Sequence, residues 1–156
     1  MNILLTPARI GPVEIPNRIV LPPMTTRTAT EEGFVTDDTI AYYTARAAGG
    51  VGLVTVEMAS PERAGRHRHC ELGIYDDRFL PGLKRLVDAI HRDGAKASIQ
   101  LGHGGGHTRR DICGETPIAP SAIPHPVFEV VFETIVPEEM TKARIERTRN
   151  AFVEAA

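Results

Sequence analysis

The sequence predicts an α/β protein in which parallel strands alternate with helices, and three observations support this fold class. Segment 19–21 and the core 51–56 of a second segment, 51–57, lack polar alternation, which is typical of strands buried on both faces of a parallel sheet, and 95–101 is a third strand-like segment. Segments with helical signals lie between and after them. The connections are short, which favours right-handed crossovers between neighbouring strands.

The first elements are predicted to be a hairpin and a strand. Residues 8–15 place a Gly-Pro turn between two short β-prone pieces, and we expect this hairpin to close the floor of a barrel. The first core strand, 19–21, is followed by Pro22 and Pro23, which have no backbone N–H and cannot continue a central strand. The residues after it therefore lie at the carboxyl end of a parallel strand, where α/β proteins bind ligands.

Capping signals predict the bounds of the first two helices. The first helix is predicted over 36–48, with Thr36 as N-cap and a glycine pair as its stop. The second opens at Asp76 or Asp77, tolerates an early proline, carries an apolar stripe and ends before Gly94. That stripe is expected to cover one side of the sheet.

A third helix is predicted after Pro137, with Thr141 as N-cap. Its apolar face is expected to contain Ile145, Thr148 and Phe152, and no stop signal follows. A closed (β/α)8 barrel needs eight strands in about 250 residues, whereas this chain supplies three predicted strands.

Composition predicts one globular domain over residues 1–156. The chain is 42% hydrophobic and 24% charged, so it has enough apolar residues for a core and is not disordered by composition. Its formal net charge of -2 gives no electrostatic reason to expect nucleic acid or a membrane surface as a partner. No apolar run approaches about 18 residues, and a soluble cytoplasmic protein is the expectation.

We expect no metal site. The two thiols lack a CxxC pairing, which argues against a disulfide framework, an iron–sulfur cluster or a zinc site. Two histidine pairs have chelating spacings, but Arg66 and Arg68 disfavour a dication beside one pair, and the glycine run 104–106 gives the other no rigid helix. The side chains considered are His67, His69, Cys70, His103, His107 and Cys113.

Short motifs in a fixed order extend over nearly the whole chain: Leu5-Thr6-Pro7, Pro16-Asn17-Arg18-Ile19-Val20, Pro23-Met24-Thr25, Gly50-Val51-Gly52-Leu53, Val56-Glu57, Gln100-Leu101-Gly102-His103-Gly104-Gly105 and Ala119-Pro120-Ser121-Ala122. With these motifs the chain resembles the N-terminal part of the Old Yellow Enzyme family of FMN-dependent NAD(P)H:flavin oxidoreductases, especially the branch of 2,4-dienoyl-CoA and 2-enoate reductases. The resemblance implies the N-terminal portion of a (β/α)8 barrel that holds FMN at the carboxyl ends of its strands. It also implies hydride transfer from NADH or NADPH through FMN N5 to a small α,β-unsaturated carbonyl compound.

The resemblance assigns five residues to the flavin. Pro23, Met24 and Thr25 are expected beside the ring, with the Thr25 hydroxyl donating toward the carbonyl next to N5. Gln100 is expected to pair with the pyrimidine edge through its amide, which both donates and accepts. Met58 falls where relatives often place a small residue against the ring, and a soft thioether can pack there.

Two further residues, Arg27 and His103, are expected on the substrate side of the site. Other interpretations remain open for the individual residues. Pro23 and Met24 can simply end a strand and fill core, Thr25 can be a turn hydroxyl, and Gln100 can be a polar group satisfied by the protein.

The family's carbonyl-binding His/His or His/Asn pair and its Tyr acid lie on and after strand four, which the resemblance places past Ala156. The catalytic residues are therefore not assigned in this sequence. A second hypothesis follows, in which the 156-residue chain alone is a barrel fragment that binds FMN weakly or not at all. Three strands leave two unpaired edges, which favour self-association into an oligomer.

Overall fold

A parallel sheet with helices packed on one face is the main feature of the computed structural model, which describes residues 2–126 and 134–156. The strands are β1 (Ala8–Ile10), β2 (Val13–Ile15), β3 (Val20–Leu21), β4 (Leu53–Ser60), β5 (Leu72–Gly73), β6 (Lys96–Leu101), β7 (Ile118–Ala119) and β8 (Glu138–Glu139). The helices are α1 (Asp37–Ala48), α2 (Leu80–Arg92), α3 (Arg110–Cys113) and α4 (Lys142–Ala155), with 3₁₀ turns at Ile3–Leu5, Arg63–Gly65 and Asp77–Phe79. The predicted hairpin is confirmed, because β1 and β2 pair antiparallel.

Strand β4 is the centre of the sheet. Its Val54 pairs with β3 on one side and with β6 on the other, and all of these pairings are parallel. Farther along, Ala59 pairs with Leu72 of β5 and with Leu101 of β6. Strand β5 therefore replaces β3 beside the second half of β4. It has only two residues, and the sequence did not predict it.

The pairing of β4 with β6 is interrupted at Glu57. The register shifts between Val56 and Met58, as in a β-bulge, so that Glu57 has no partner on β6. Its backbone N–H instead donates to the Tyr43 hydroxyl of α1, at 2.7 Å. Burial raises the pKa of Tyr43 well above its ordinary value, so the phenol stays protonated at neutral pH.

The core lies between the sheet and helices α1 and α2. Its buried residues are Ala29, Tyr43, Ala47, Val54, Val56, Ala59, Leu72, Leu86, Ile90 and Ala95. The predicted stripe of α2 is confirmed, since Leu83, Leu86 and Ile90 are buried. Burying one large aliphatic side chain contributes about 1.5–3 kcal/mol, so this face accounts for much of the sheet–helix packing.

The expectation of burial on both faces is wrong for the first core strand, β3. Val20 of β3 is 45% exposed, and Ile19 before it is exposed as well. On β6, Ser98 and Gln100 are exposed while Ile99 is partly buried. The physical reason is that α1 and α2 pack on one face of the sheet. Every second side chain of a strand points to the other face, which these two helices do not cover.

The bounds of α1 and α4 follow the predicted caps, whereas α2 begins at Leu80 rather than at Asp76 or Asp77, because the 3₁₀ turn Asp77–Phe79 precedes it. The Thr36 hydroxyl accepts from the backbone of Thr39 in a capping box, and α1 ends at Gly49. Before α2, Asp76 caps a 3₁₀ turn, and Gly94 after it has a φ of +88°. Thr141 caps α4, with a 3.2 Å bond from the backbone of the third helical residue.

The inward face of α4 agrees with the prediction at Thr148 and Phe152, which are partly buried, but differs at Ile145, which is exposed. Arg144 Nη1 donates to Glu62 Oε2 at 3.1 Å, and the Thr148 hydroxyl donates to Glu62 Oε1 at 2.9 Å. Glu62 follows β4 and is buried. A charged hydrogen-bond network, rather than an apolar stripe, therefore holds this helix.

His103 completes the network around Glu62. The Gly105 backbone N–H donates to its Nδ1 at 2.9 Å, so Nε2 carries the proton that faces Glu62 Oε1 at 3.1 Å. Burial lowers the pKa of His103 below its ordinary value and outweighs the opposing charge of Glu62. Burial alone would raise the pKa of Glu62, but the bond from Thr148 and the charge of Arg144 more than compensate and lower it.

We predict that His103→Gln weakens the dependence of folding stability on pH between 7 and 5. Because the folded state lowers the pKa of His103, the unfolded chain takes up the proton first as the pH falls through about 6.5, and stability is lost there. Glutamine does not titrate but keeps an N–H donor for Glu62.

Free energies of unfolding in urea at pH 5, 6 and 7 measure this slope. His91→Gln is the matched control, because His91 is an exposed histidine of α2 and its replacement should leave the slope unchanged. An equal slope in His103→Gln and in the unmodified chain would contradict the prediction.

Candidate functional site

The segment 22–26 forms a corner at the carboxyl end of β3. The strand ends at Leu21, directly before the two prolines, as the sequence predicted. After the prolines, Met24 is 51% exposed and Thr25 is also exposed, whereas Thr26 turns inward. The corner therefore presents a thioether and a hydroxyl at the edge where parallel α/β proteins bind ligands.

The buried side chain of Glu57 binds this corner through Thr26. Its side chain is 1% exposed, and its Oε2 accepts a hydrogen bond from the Thr26 backbone N–H at 2.8 Å. The Thr26 hydroxyl donates to Oε1 of the same carboxylate. Both carboxylate oxygens are thus engaged by one residue of the corner, 31 positions away in the sequence.

Hydroxyl groups extend this contact to the start of α1. The Thr28 hydroxyl lies 2.7 Å from that of Thr26 and donates to that of Thr39 at 3.0 Å. Thr39 belongs to the capping box of α1, where its backbone N–H donates to Thr36 at 3.2 Å. The corner is therefore connected to both the central strand and the first helix.

Met58 and Gln100 lie beside each other on β4 and β6, because the shifted register pairs them directly. Gln100 is exposed near the carboxyl end of β6. The Met58 side chain covers Gly102, where an added Cβ would come within 2.1 Å of its Sδ. Glycine at 102 therefore allows Met58 to lie at this edge.

These side chains have the chemistry that a flavin ring requires. Among the described residues, neither the Thr25 hydroxyl nor the Gln100 amide has a hydrogen-bond partner, so both groups are available to a ligand. The amide offers both a donor and an acceptor, and Met24 and Met58 offer polarizable apolar surface. A flat heteroaromatic ring with a polar edge fits this donor set.

The two substrate-side candidates are placed differently. Arg27 is exposed just after the corner, with a φ of +56°. His103 lies after β6, but its side chain is largely buried and its Nε2 donates to Glu62. The structure thus brings Arg27 to the corner and directs the His103 imidazole to the network that holds α4.

The sequence interpretation missed the two carboxylates that hold this edge. Glu57 was predicted only as a motif residue at the end of a strand, and no role was predicted for Glu62. A signal for Glu57 was present, because it is an acidic residue at the end of a largely apolar predicted strand. Its partners could not be identified without the strand register.

A second polar cluster lies in the loops after β4 and β6. The Glu71 carboxylate is buried and accepts from the backbone N–H groups of His67 and Arg68, each at 3.1 Å. The His67 ring lies 5.9 Å from that of His107, which stacks on His125 at 4.4 Å. Burial lowers the pKa of His107, and the neighbouring histidines lower it further. This cluster packs the two loops together.

His69 and Cys70 both contact Glu31 near the surface, at 3.2 Å and 3.5 Å. In residues 2–126 and 134–156, no three or more His, Cys, Asp or Glu side chains are grouped so as to hold a metal ion. The thiols of Cys70 and Cys113 are both free.

A cavity lies away from the carboxyl edge of the sheet. An open, mostly apolar groove of about 940 Å³ lies between α2 and β6, on the helix side of the sheet, and contains none of the predicted site residues. We place the site at the carboxyl edge because the available polar groups are there.

No helix among the described residues has the length and apolar character needed to cross a membrane.

Comparison with known proteins identifies close relatives in sequence. The model of the NADH:flavin oxidoreductase / NADH oxidase family matches residues 3–156. The chain is 40% identical over 155 residues to an NADH oxidase of Thermoanaerobacter brockii, an alignment covering 98% of this chain and 23% of that protein. It is 39% identical over 157 residues to an NADPH dehydrogenase of Listeria monocytogenes serotype 4a (strain HCC23), covering 100% of this chain and 44% of the relative.

Solved structures give the same result. The crystal structure of Old Yellow Enzyme from Pichia sp. AKU4542 matches with a TM-score of 0.89 and 29% identity, over 99% of this chain and 42% of that chain. The chain thus spans less than half the length of these relatives. The prediction that it corresponds to the N-terminal portion of a (β/α)8 barrel is confirmed, and the match supports FMN and a nicotinamide reductant as the cofactors. The chain belongs to the NADH:flavin oxidoreductase / NADH oxidase family, as its resemblance to Old Yellow Enzyme predicted.

Proposed function

We propose that this chain forms the FMN-facing first part of an NAD(P)H-dependent oxidoreductase that reduces small α,β-unsaturated carbonyl compounds. The observation that carries the proposal is the placement of Met24, Thr25, Met58 and Gln100 along the carboxyl edge of three adjacent strands. Family membership supports the flavin and the nicotinamide. The carbonyl substrate class comes from the resemblance to ene-reductases and is part of the proposal.

Each of these residues has a separate role in the proposal. FMN, when bound, supplies the hydride chemistry of such a protein. The Gln100 amide would donate to and accept from the polar edge of the ring, and the Thr25 hydroxyl would donate to it. Met24, Pro23 and Met58 would cover apolar parts of the ring and exclude water. No described residue is proposed as the proton donor to the substrate.

A second candidate role concerns the 156 residues taken alone. No strand in the described residues pairs with the outer edge of β3 or of β6, and Ile19 and Val20 are exposed beside the first of these edges. Unpaired edges with exposed apolar side chains favour pairing with another chain. We propose that the isolated chain self-associates and does not bind FMN stoichiometrically.

The flavin site is tested in the protein encoded by the complete reading frame that contains these residues. We expect a yellow protein with an absorbance band near 450 nm. Gln100→Leu should raise the Kd for FMN about 30-fold to 150-fold, because it removes two hydrogen bonds worth about 1–1.5 kcal/mol each. Fluorescence titration of the FMN-free protein measures the Kd.

Ser98→Ala is the matched control, since Ser98 lies two positions earlier on the same face of β6 and bonds only to Thr55. A colourless complete protein that does not bind added FMN would refute the proposed function. Equal FMN affinities for Gln100→Leu and Ser98→Ala would show that the Gln100 amide does not bind FMN.

Thr25→Ala is predicted to lower the midpoint potential of the bound flavin by roughly 30–65 mV. A hydrogen bond to the charged reduced ring is worth roughly 1.5–3 kcal/mol, and about 30 mV corresponds to about 1.4 kcal/mol for a two-electron couple. Thr25→Ser keeps the hydroxyl and should retain the potential. Redox titration against a reference dye measures it, and equal potentials in the alanine and serine variants would exclude the hydroxyl as a donor to the ring.

For the isolated 156 residues, light scattering at micromolar concentration should report an oligomer. Replacing the exposed edge residue Val20 with lysine should shift the distribution toward monomer, because a charged side chain on an edge opposes strand pairing. Val153→Lys is the control, since Val153 is also exposed, at 71% against 45% for Val20, but lies on α4. A clean monomer of the unmodified chain would contradict the edge-pairing proposal.

A further inference from the structure

We propose that Glu57 is a positioning residue for the flavin site, acting through Thr26 on the orientation of Thr25 and Met24. This inference rests on the proposed function, since it concerns the same corner. It adds a residue that makes no contact with the ring, because Glu57 is buried beneath the corner.

The geometry of the peptide bond connects Glu57 to Thr25. The backbone N–H of Thr26 donates to Glu57 Oε2 at 2.8 Å. A peptide unit is planar and includes the Cα of the preceding residue. Fixing the Thr26 N–H therefore fixes the plane that contains the Cα of Thr25, and it limits the Thr25 side chain to the directions that rotation about its own Cα–C bond allows.

Few other contacts restrain this corner. Pro22 and Pro23 have no backbone N–H with which to bond to a neighbouring strand. Met24 and Thr25 are exposed, and their side chains pack little against the protein. Glu57 binds Thr26 through both its oxygens, so it supplies the main polar restraint on the end of the corner.

Glu57 is itself held in place by the core. It is the unpaired residue of the bulge in β4, and its backbone N–H is bonded to Tyr43 at the core. Bulges are common next to active sites, where they redirect a side chain. Here the bulge directs a carboxylate toward the neighbouring loop while Met58 joins Gln100 at the edge.

The test uses the complete FMN-loaded protein and the variants Glu57→Gln, Thr26→Val and their combination. Glutamine has the shape of glutamate but carries an N–H₂ group in place of one oxygen, so it cannot accept from both donors of Thr26, and its uncharged amide oxygen makes a weaker bond to the Thr26 N–H than a carboxylate does. Each single variant is expected to raise the Kd for FMN about tenfold and to shift the flavin potential in the direction of Thr25→Ala. Both variants weaken the same contact, that between Glu57 and Thr26. The double variant should therefore raise the Kd for FMN no more than the single variant with the larger effect.

Thr55→Val is the matched control. Thr55 lies two residues earlier on β4, and its hydroxyl accepts from Ser98 without contacting the corner. Its FMN affinity and potential should match those of the unmodified protein. If Glu57→Gln lowers only the unfolding midpoint while the Kd and the potential stay unchanged, Glu57 is a stabilising residue and the proposal is wrong. Independent, multiplicative effects, about a hundredfold for the double variant, would also refute it.

Amide hydrogen exchange of the FMN-free protein separates this proposal from the proposed function. Glu57→Gln should speed exchange of the Thr26 amide at least tenfold relative to Thr55→Val, whether or not flavin binds. Unchanged exchange would refute the positioning role even in a protein that binds FMN normally. Should Glu57→Gln fail to fold, Thr26→Val supplies the same readouts, with exchange followed at Thr25 and at the backbone amide of position 26, whose N–H still faces Glu57.

Discussion

The hydrogen bonds between the buried Glu57 carboxylate and Thr26 are the interaction on which the carboxyl edge of this sheet depends. A buried carboxylate costs several kcal/mol unless hydrogen bonds satisfy its oxygens. In this chain one residue of the loop after β3 satisfies both oxygens. The loop cannot move away from the strand without leaving a charge unsatisfied in the interior, and this penalty keeps the corner in place.

A second buried carboxylate acts at the same edge with different partners. Glu62 is bonded to Arg144 and Thr148 of α4 and to His103 after β6, so it joins three segments distant in sequence. Its partners include cations, and its pKa is lowered, whereas the donors to Glu57 are a backbone amide and a hydroxyl. One carboxylate thus orients a loop beside the proposed ligand, and the other attaches a helix whose apolar residues are largely exposed.

Features governed by local chemistry could be predicted from the sequence. Thr36 and Thr141 were identified as N-caps because a capping hydroxyl acts within three residues of itself. The prolines after β3 were predicted to end the strand for a similarly local reason. Ile145 was wrongly predicted to face inward on α4, because the helical pattern gives no sign that the neighbouring Arg144 bonds to Glu62, 82 residues away.

The bulge at Glu57 explains why the site could be located by resemblance but not constructed from the strand pattern alone. In a regular strand, Met58 would share the face of Val54 and Val56, which pack against the helices. The extra residue reverses this alternation, because Met58 pairs with Gln100, whereas Val56 pairs with Ile99 on the core face. One residue that departs from the period of two therefore brings Met58 beside Gln100 and leaves Glu57 free to bind Thr26. The strand was predicted as a uniform apolar segment, yet the proposed flavin edge depends on the position where that segment is irregular.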